Sequence, residues 1–198
     1  MNIYDRYKIV NYHKKRKGGG KLHSLGWRSE ESQSARYEIL RDITDYSNKS
    51  VLEPGCGYGD FLFFLEEKYK NFKYTGIEMV SGFIDEVPEK FKENSNYNFI
   101  KGDFSKLTFP GYDIVAASGV LSYSVFDKQY YKNMIKKMFD LASEAAAFNF
   151  LDQKLFGEHP LLKAHDKNKL IEYSLSLTQN CKTFDNYLQD DVTIVLFK

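Results

Sequence analysis

The chain has 198 residues, of which 42% are hydrophobic and 16% aromatic, and its formal net charge is +1. This length and composition predict one folded domain and exclude a disordered chain. There is no apolar stretch of the roughly 20 residues that cross a bilayer, no secretory signal pattern, and only two cysteines, so we expect a cytoplasmic protein with reduced thiols.

The first 28 residues form a basic N-terminal arm. They hold eight Lys or Arg and one acid, Asp5, so the rest of the chain is mildly acidic. The run HKKRKGGGK, residues 13–21, suits an anionic substrate or nucleic acid. A nucleic-acid protein would carry its basic excess on the folded body, which disfavours that partner here. We expect either a solvated, mobile arm or a lid on the acceptor side.

The middle of the chain alternates helical and strand patterns. Ser29 is a predicted helix cap with Ser32 close behind, and apolar residues recur at helical spacing through Ile43. Strands are predicted at SVLEP (50–54), KYTGIEM (73–79), YNFIKGD (97–103) and YDIVAASGVL (112–121). Helices are predicted at 58–70 and at 81–91, where Pro88 kinks or ends the second one.

The C-terminal part continues the alternation and then changes it. A long amphipathic helix is predicted at 128–143, a fifth strand at EAAAFNFLD (144–152) and another helix at 167–179 after a polar connection. Residues 181–198 predict two strands that fold back near Gln189–Asp191, a connection too short for a parallel crossover. We therefore predict one α/β domain: a doubly wound, mostly parallel seven-stranded sheet with an antiparallel C-terminal hairpin and helices on both faces.

The stretch VLEPGCGYGD, residues 51–60, places Gly55, Gly57 and Gly59 between the first strand and the following helix. Ligands bind at this end of an open parallel sheet, and glycine lets them lie against bare backbone. A nicotinamide dinucleotide fingerprint requires a glycine three residues after Gly57, but Asp60 stands there. A tight structural turn is the alternative explanation of the glycines.

The spacing Glu53-x-Gly55-x-Gly57-x-Gly59 resembles the first motif of the class I S-adenosylmethionine-dependent methyltransferases, which more commonly has Asp where Glu53 stands. The resemblance implies a donor loop that includes Cys56, a packed rather than reactive thiol. It also implies that Glu78, at the end of YTGIEM and followed by Met79, holds the donor's ribose.

The resemblance extends over about residues 48–150. It implies that Asp103 reaches the adenine amino group and that Phe104 covers the ring, although Asp103 also suits a turn or helix cap. It places Ser118 and Gly119 beside the methionine part of the donor.

A second, more local resemblance lies upstream. LGWRSEESQSARYEIL, residues 25–40, is similar to a phrase in small bacterial methyltransferases of unassigned substrate. A helix from Ser29 would put Gln33 and Arg36 one turn apart. Arg36 would then clamp the donor's carboxylate and Trp27 would close over the site; a solvent-facing Arg36 and a packed Trp27 are the alternatives.

The predicted function is methyl transfer to an oxygen or nitrogen of a small-molecule acceptor, with S-adenosylhomocysteine as product. His159 and Tyr123 are the candidate catalytic residues on the acceptor side. We expect no metal site, because four scattered histidines make no ligand cluster. An anionic acceptor suits the basic arm, no membrane partner is expected, and the oligomeric state is left open. The alternatives are a protein or RNA acceptor, or a domain that binds the donor without transferring methyl.

Overall fold

The computed structural model describes residues 1–198. Its strands lie where the sequence predicts them, and one short strand, β6, was not predicted. The strands are β1 (Ser50–Pro54), β2 (Lys73–Glu78), β3 (Tyr97–Lys101), β4 (Tyr112–Ala117), β5 (Ala142–Asp152), β6 (Ala164–His165), β7 (Cys181–Phe184) and β8 (Asp191–Phe197).

Eight helices separate or precede these strands. They are α1 (Ile3–Arg16), α2 (Lys21–Leu25), α3 (Glu30–Arg41), α4 (Asp60–Lys68), α5 (Ser81–Asp85), α6 (Glu89–Lys92), α7 (Tyr130–Leu141) and α8 (Lys167–Leu177). The predicted break near Pro88 is confirmed, because α5 ends at Asp85 and Pro88 is the N-cap of α6. The predicted cap of α3 is also confirmed: Ser29 and Ser32 exchange backbone–side-chain hydrogen bonds of 3.2 Å.

The sheet has the order β3-β2-β1-β4-β5-β8-β7, with β6 paired to β5 off this path. Strands β1 to β5 are mutually parallel where they pair, whereas β8 runs antiparallel to both β5 and β7. The strand order changes direction at β1: β2 and β3 lie on one side of it, and β4 and β5 lie on the other. This switch point places a crevice at the carboxyl ends of β1 and β4. The predicted fold class is confirmed.

Both faces of the sheet are covered. Val51 joins one buried cluster with residues of α3 and α4, and its neighbour Leu52 joins a second cluster with residues of α7 and α8. The same alternation divides Ala145 and Ala146 of β5 between the two clusters. A strand that is buried on both faces has consecutive apolar residues and not alternating ones, which explains the apolar runs of β1 and β5.

The basic N-terminal segment forms two helices. Asn2 caps α1 by accepting from the Asp5 amide at 2.8 Å, and α1 buries Asp5, Ile9 and His13. A carboxylate oxygen of Asp5 accepts from the Phe126 amide at 3.1 Å, which ties α1 to the loop after β4. None of the helices is long and apolar enough to cross a membrane.

Candidate active site

A cavity of about 410 Å³ lies at the carboxyl ends of β1, β2 and β4, beneath α1 and α2. Thirteen of the sixteen residues that the sequence predicts for the site line it: Trp27, Arg36, Gly55, Cys56, Gly57, Glu78, Met79, Asp103, Phe104, Ser118, Gly119, Tyr123 and His159. Residues separated by up to about 130 positions are therefore brought to one concave surface, which is the usual form of a small-molecule site.

The glycine loop between β1 and α4 has the conformation that its sequence predicts. Gly55, Gly57 and Gly59 have φ values of +75°, +56° and +79°, a region that other residues rarely adopt. A Cβ at Gly57 would lie 2.7 Å from Leu25 Cδ2, and one at Gly55 would lie 2.4 Å from Val120 Cγ1. The loop therefore presents bare backbone to the cavity and to the end of α2.

Glu78 is buried at the end of β2 and faces the loop. Its Oε2 accepts from the Gly57 amide at 3.1 Å and its Oε1 accepts from the Val80 amide at 2.7 Å. Each carboxylate oxygen can accept more than one hydrogen bond, so both oxygens keep capacity for hydroxyl donors. Burial raises the pKa of Glu78, while the amides of Val80 and Gly57 oppose that shift.

Asp103 follows β3 and has one oxygen without a hydrogen-bond partner. Its Oδ1 accepts from the Ser105 amide and hydroxyl at 3.0 and 2.7 Å, as in a turn. Its Oδ2 is buried, lacks a partner, and lies 4.0 Å from the Met1 amino group. Phe104 is buried beside it and stacks on Phe109. One oxygen of the Asp103 carboxylate therefore stabilises the turn, and the other remains available to accept a hydrogen bond at the cavity.

Three of the predicted donor-site residues do not line the cavity. Glu53 is buried in the core, where it accepts a hydrogen bond from the Tyr74 hydroxyl, and burial raises its pKa to about 8. Gln33 donates to Asp60 Oδ2 at 3.1 Å, and Gly59 is the N-terminal cap of α4. These residues shape the loop from behind and do not face the cavity.

Arg36 is neither solvent-facing nor unpaired. Its Nη2 donates to Asp191 Oδ2 at 2.6 Å, and its guanidinium lies 4.9 Å from the centroid of the Trp27 ring. Arg36 Nε and Asp191 Oδ1 are both buried without a hydrogen-bond partner. Burial raises the pKa of Asp191, and Arg36 opposes that shift. No local sequence pattern indicates this partner, because the two residues are 155 positions apart.

The end of β4 is fixed by Asn149 from the neighbouring β5. Asn149 Oδ1 accepts from the Gly119 amide at 2.8 Å, and its Nδ2 donates to the Ser118 hydroxyl at 3.0 Å.

Cys56 in the glycine loop is buried, and burial raises the pKa of its thiol well above the usual value. A thiol that stays protonated is a poor nucleophile, consistent with the packing role expected of Cys56.

The two candidate catalytic residues line the cavity in different environments. Tyr123 is partly exposed, and its hydroxyl lies 2.8 Å from His13 Nε2. His159 is exposed at the rim, and its Nδ1 accepts from the Leu161 and Leu162 amides at 3.2 and 2.9 Å. That nitrogen therefore carries no proton, and in the neutral ring the proton is on Nε2, which makes Nε2 a donor. This arrangement argues against His159 as a general base.

The cavity residues fit an adenosyl amino acid. The glycine loop offers backbone without side chains, Glu78 offers charged acceptors for two hydroxyls, and Asp103 offers an unpartnered acceptor for an amino group. The described residues contain no group of His, Cys, Asp and Glu side chains that could hold a metal ion. The fold is Rossmann-like, and the cavity lies at the switch point of its sheet.

Comparison with known proteins gives a family match for part of the chain and solved structures with the same fold. Residues 51–144 match the family model of the methyltransferase domain. Magnesium protoporphyrin IX methyltransferase from Synechocystis PCC 6803, crystallised with bound S-adenosylmethionine, has the same fold at 12% identity. The TM-score is 0.70, over 98% of this chain and 97% of that one. No curated protein sequence matches the chain.

Two further solved structures share the fold. The N-methyltransferase NodS from Bradyrhizobium japonicum WM9, in complex with S-adenosylhomocysteine, is 15% identical with a TM-score of 0.70, and 98% of each chain is covered. Phosphoethanolamine N-methyltransferase 1 from Haemonchus contortus is 14% identical with a TM-score of 0.73, over 100% of this chain and 50% of that one. Residues 51–144 are thus similar to a methyltransferase domain, and the whole chain has the fold of these enzymes.

Proposed function

We propose that this protein is a class I methyltransferase that transfers a methyl group from S-adenosylmethionine to an oxygen or nitrogen atom of a small-molecule acceptor. The observation that carries the proposal is that Glu78, Asp103 and Tyr123 line the same cavity of about 410 Å³. The donor supplies a methyl group on a positively charged sulfur; the acceptor atom bonds to the methyl carbon as the carbon–sulfur bond breaks, and its electron pair stays on sulfur.

The residues of this chain supply binding, orientation and exclusion of water. We propose that the two oxygens of Glu78 accept the ribose hydroxyls, that Asp103 Oδ2 accepts the adenine amino group, and that Phe104 covers the ring. Arg36, Trp27, Ser118, Gly119 and Met79 are proposed to contact the amino acid part. Holding both partners in line supplies on the order of 7–11 kcal/mol of barrier reduction in well-oriented cases.

One cation that lines the cavity supports an anionic acceptor. Arg28 and Arg36 are paired with Asp190 and Asp191, whereas Arg16 of α1 has no carboxylate partner. Arg16 Nε donates to the His23 carbonyl at 2.7 Å, and its terminal nitrogens make no hydrogen bond. Arg16 lines the cavity. We therefore propose an acceptor that carries a carboxylate or phosphate, with α1 as its lid.

The acceptor class is tested with donor labelled in the methyl group. A cell extract is separated by size, and the protein is incubated with each fraction, with excess S-adenosylhomocysteine as the inhibited control. We expect label in the small-molecule fraction only. Label in retained protein or RNA would contradict the proposal, and no transfer to any fraction, with donor binding verified by calorimetry, would indicate a non-catalytic binding domain.

A further inference from the structure

His13, on the N-terminal helix α1, forms a hydrogen-bonded pair with Tyr123 at the wall of the cavity. Both residues line the cavity, although 110 positions separate them. Ser122 and Tyr123 are held by the segment after β5: the Lys163 amide donates to the Ser122 carbonyl at 2.8 Å, and Tyr123 forms a bridge with Leu162. The pair is thus built from two separate elements that meet over the cavity.

The His13 ring is held by aromatic neighbours and by hydrogen bonds at both nitrogens. It is buried, and its centroid lies 5.2 Å from that of Tyr12 and 5.4 Å from that of Phe83, both in edge-on geometry. His13 Nδ1 lies 2.7 Å from the Ser24 carbonyl oxygen. A ring held at both nitrogens cannot rotate to exchange their roles.

These contacts determine which nitrogen carries the proton. A carbonyl oxygen only accepts, so His13 Nδ1 must donate to Ser24 and carries the hydrogen. In the neutral ring Nε2 is then unprotonated, and it accepts from the Tyr123 hydroxyl. The remaining lone pair of that hydroxyl is available to the cavity. This is the opposite tautomer to that of His159 at the rim.

We propose that the His13–Tyr123 pair removes the proton of the methyl acceptor. The acceptor's O–H or N–H proton moves to Tyr123 Oη as the tyrosine's own proton moves to His13 Nε2. The bonding electrons of the former O–H or N–H bond stay on the acceptor atom, which forms the bond to the methyl carbon. Tyr123 is the catalytic residue and His13 the positioning residue that takes the proton through it.

The electrostatic surroundings of His13 favour the neutral ring in the resting enzyme. Burial lowers the pKa of His13, the hydrogen bond to Ser24 opposes that shift, and Arg16 lowers the pKa further. Burial raises the pKa of Tyr123, and the charge of Glu78 adds to that shift. The tyrosine therefore remains protonated in the resting enzyme and serves as a relay, not as a standing phenolate.

This inference rests on the proposed function, and it is tested without knowing the acceptor. The chain has four histidines, so single His→Gln variants assign every imidazole signal in nitrogen-edited NMR spectra. We expect His13 to show the Nδ1–H tautomer and a pKa below the ordinary value. Tyr123→Phe should preserve the tautomer and change the Nε2 shift, because that nitrogen loses its donor.

The decisive comparison is the His13 pKa in complexes with S-adenosylmethionine and with S-adenosylhomocysteine, which differ by one positive charge at the reacting sulfur. If the pair lies beside that sulfur, the pKa of His13 should be lower in the S-adenosylmethionine complex by about half a unit or more. His165 is the matched control. It is also buried, with Nε2 at 2.8 Å from the Leu121 carbonyl, but it does not line the cavity, so its pKa should change little.

Two results would overturn the inference. One is the Nε2–H tautomer of His13, because that nitrogen could not accept a proton; the other is an equal pKa in the two complexes, as expected of a purely structural histidine. Calorimetry on the same samples separates this failure from that of the proposed function. If neither ligand binds, the proposed function fails; if both bind and His13 does not respond, only the role of the pair fails.

Discussion

The contact between α2 and the glycine loop allows a sharp prediction. In Gly57→Ala, the new Cβ would lie 2.7 Å from Leu25 Cδ2 on a backbone with φ of +56°. The left-handed conformation alone costs about 1–2 kcal/mol for a residue with a Cβ. Gly119→Ala is the matched control, because its φ is +75° and no atom lies within 4 Å of its Cβ position.

The difference in unfolding free energy between the two variants measures the cost of the contact with Leu25, because both carry the backbone strain. We expect Gly57→Ala to lower the free energy of unfolding by about 1 kcal/mol or more beyond Gly119→Ala, since Leu25 or the loop must move. It should also weaken S-adenosylhomocysteine binding, because the shifted loop includes the Gly57 amide that Glu78 binds. Urea denaturation and calorimetric titration measure the two effects.

Leu25→Ala removes the atoms that the new methyl group would meet. In the Leu25→Ala background, Gly57→Ala should cost only the backbone strain, which gives a coupling energy of at least about 0.5 kcal/mol in a double-mutant cycle. Equal destabilisation by Gly57→Ala and Gly119→Ala, together with no coupling to Leu25, would refute the packing of α2 on the donor loop.

Three further changes test the site. Burial raises the pKa of Glu53 from 4.5 to about 8, so its protonated form stabilises the folded protein below pH 4.5 and that stability is lost as pH rises to about 8. Glu53→Gln keeps the hydrogen bond to Tyr74. In this variant the free energy of unfolding should depend less on pH between 4.5 and 8. Arg36→Met should destabilise the protein by about 3–5 kcal/mol in urea, since it leaves the buried Asp191 charge unpaired, and adding Asp191→Asn should recover most of the loss. Asp103→Asn should weaken S-adenosylhomocysteine binding by about 1–3 kcal/mol in calorimetry; unchanged affinity would remove Asp103 from the adenine site.

The sequence predicted the sheet well because each strand has a local signal. β1 and β2 are short apolar runs that end at Pro54 and at the acidic Glu78, and their bounds are nearly as predicted. β5 was the weaker prediction, since alanines have low strand propensity. Its alanines are buried between helices on both faces, so the small side chains meet a packing requirement that propensity does not capture.

The helices α1 and α2 were not predicted, although a lid role for residues 1–28 was one of the two expectations. The buried positions of α1 are Asp5, Ile9 and His13, of which only one is apolar, so helical periodicity of hydrophobic residues is weak there. His13 gains its significance from Tyr123 and Ser24, and Arg36 gains its partner Asp191 from the far end of the chain. Such pairs depend on tertiary contacts that no local pattern records.

A crystal structure of the complex with S-adenosylhomocysteine tests the central claim most directly. The account predicts the adenine amino group at about 2.7–3.2 Å from Asp103 Oδ2, the ribose hydroxyls on Glu78, and the ligand backbone against the glycine loop. An ordered ligand bound elsewhere, with Leu25 and the protein's own side chains filling this cavity, would contradict it.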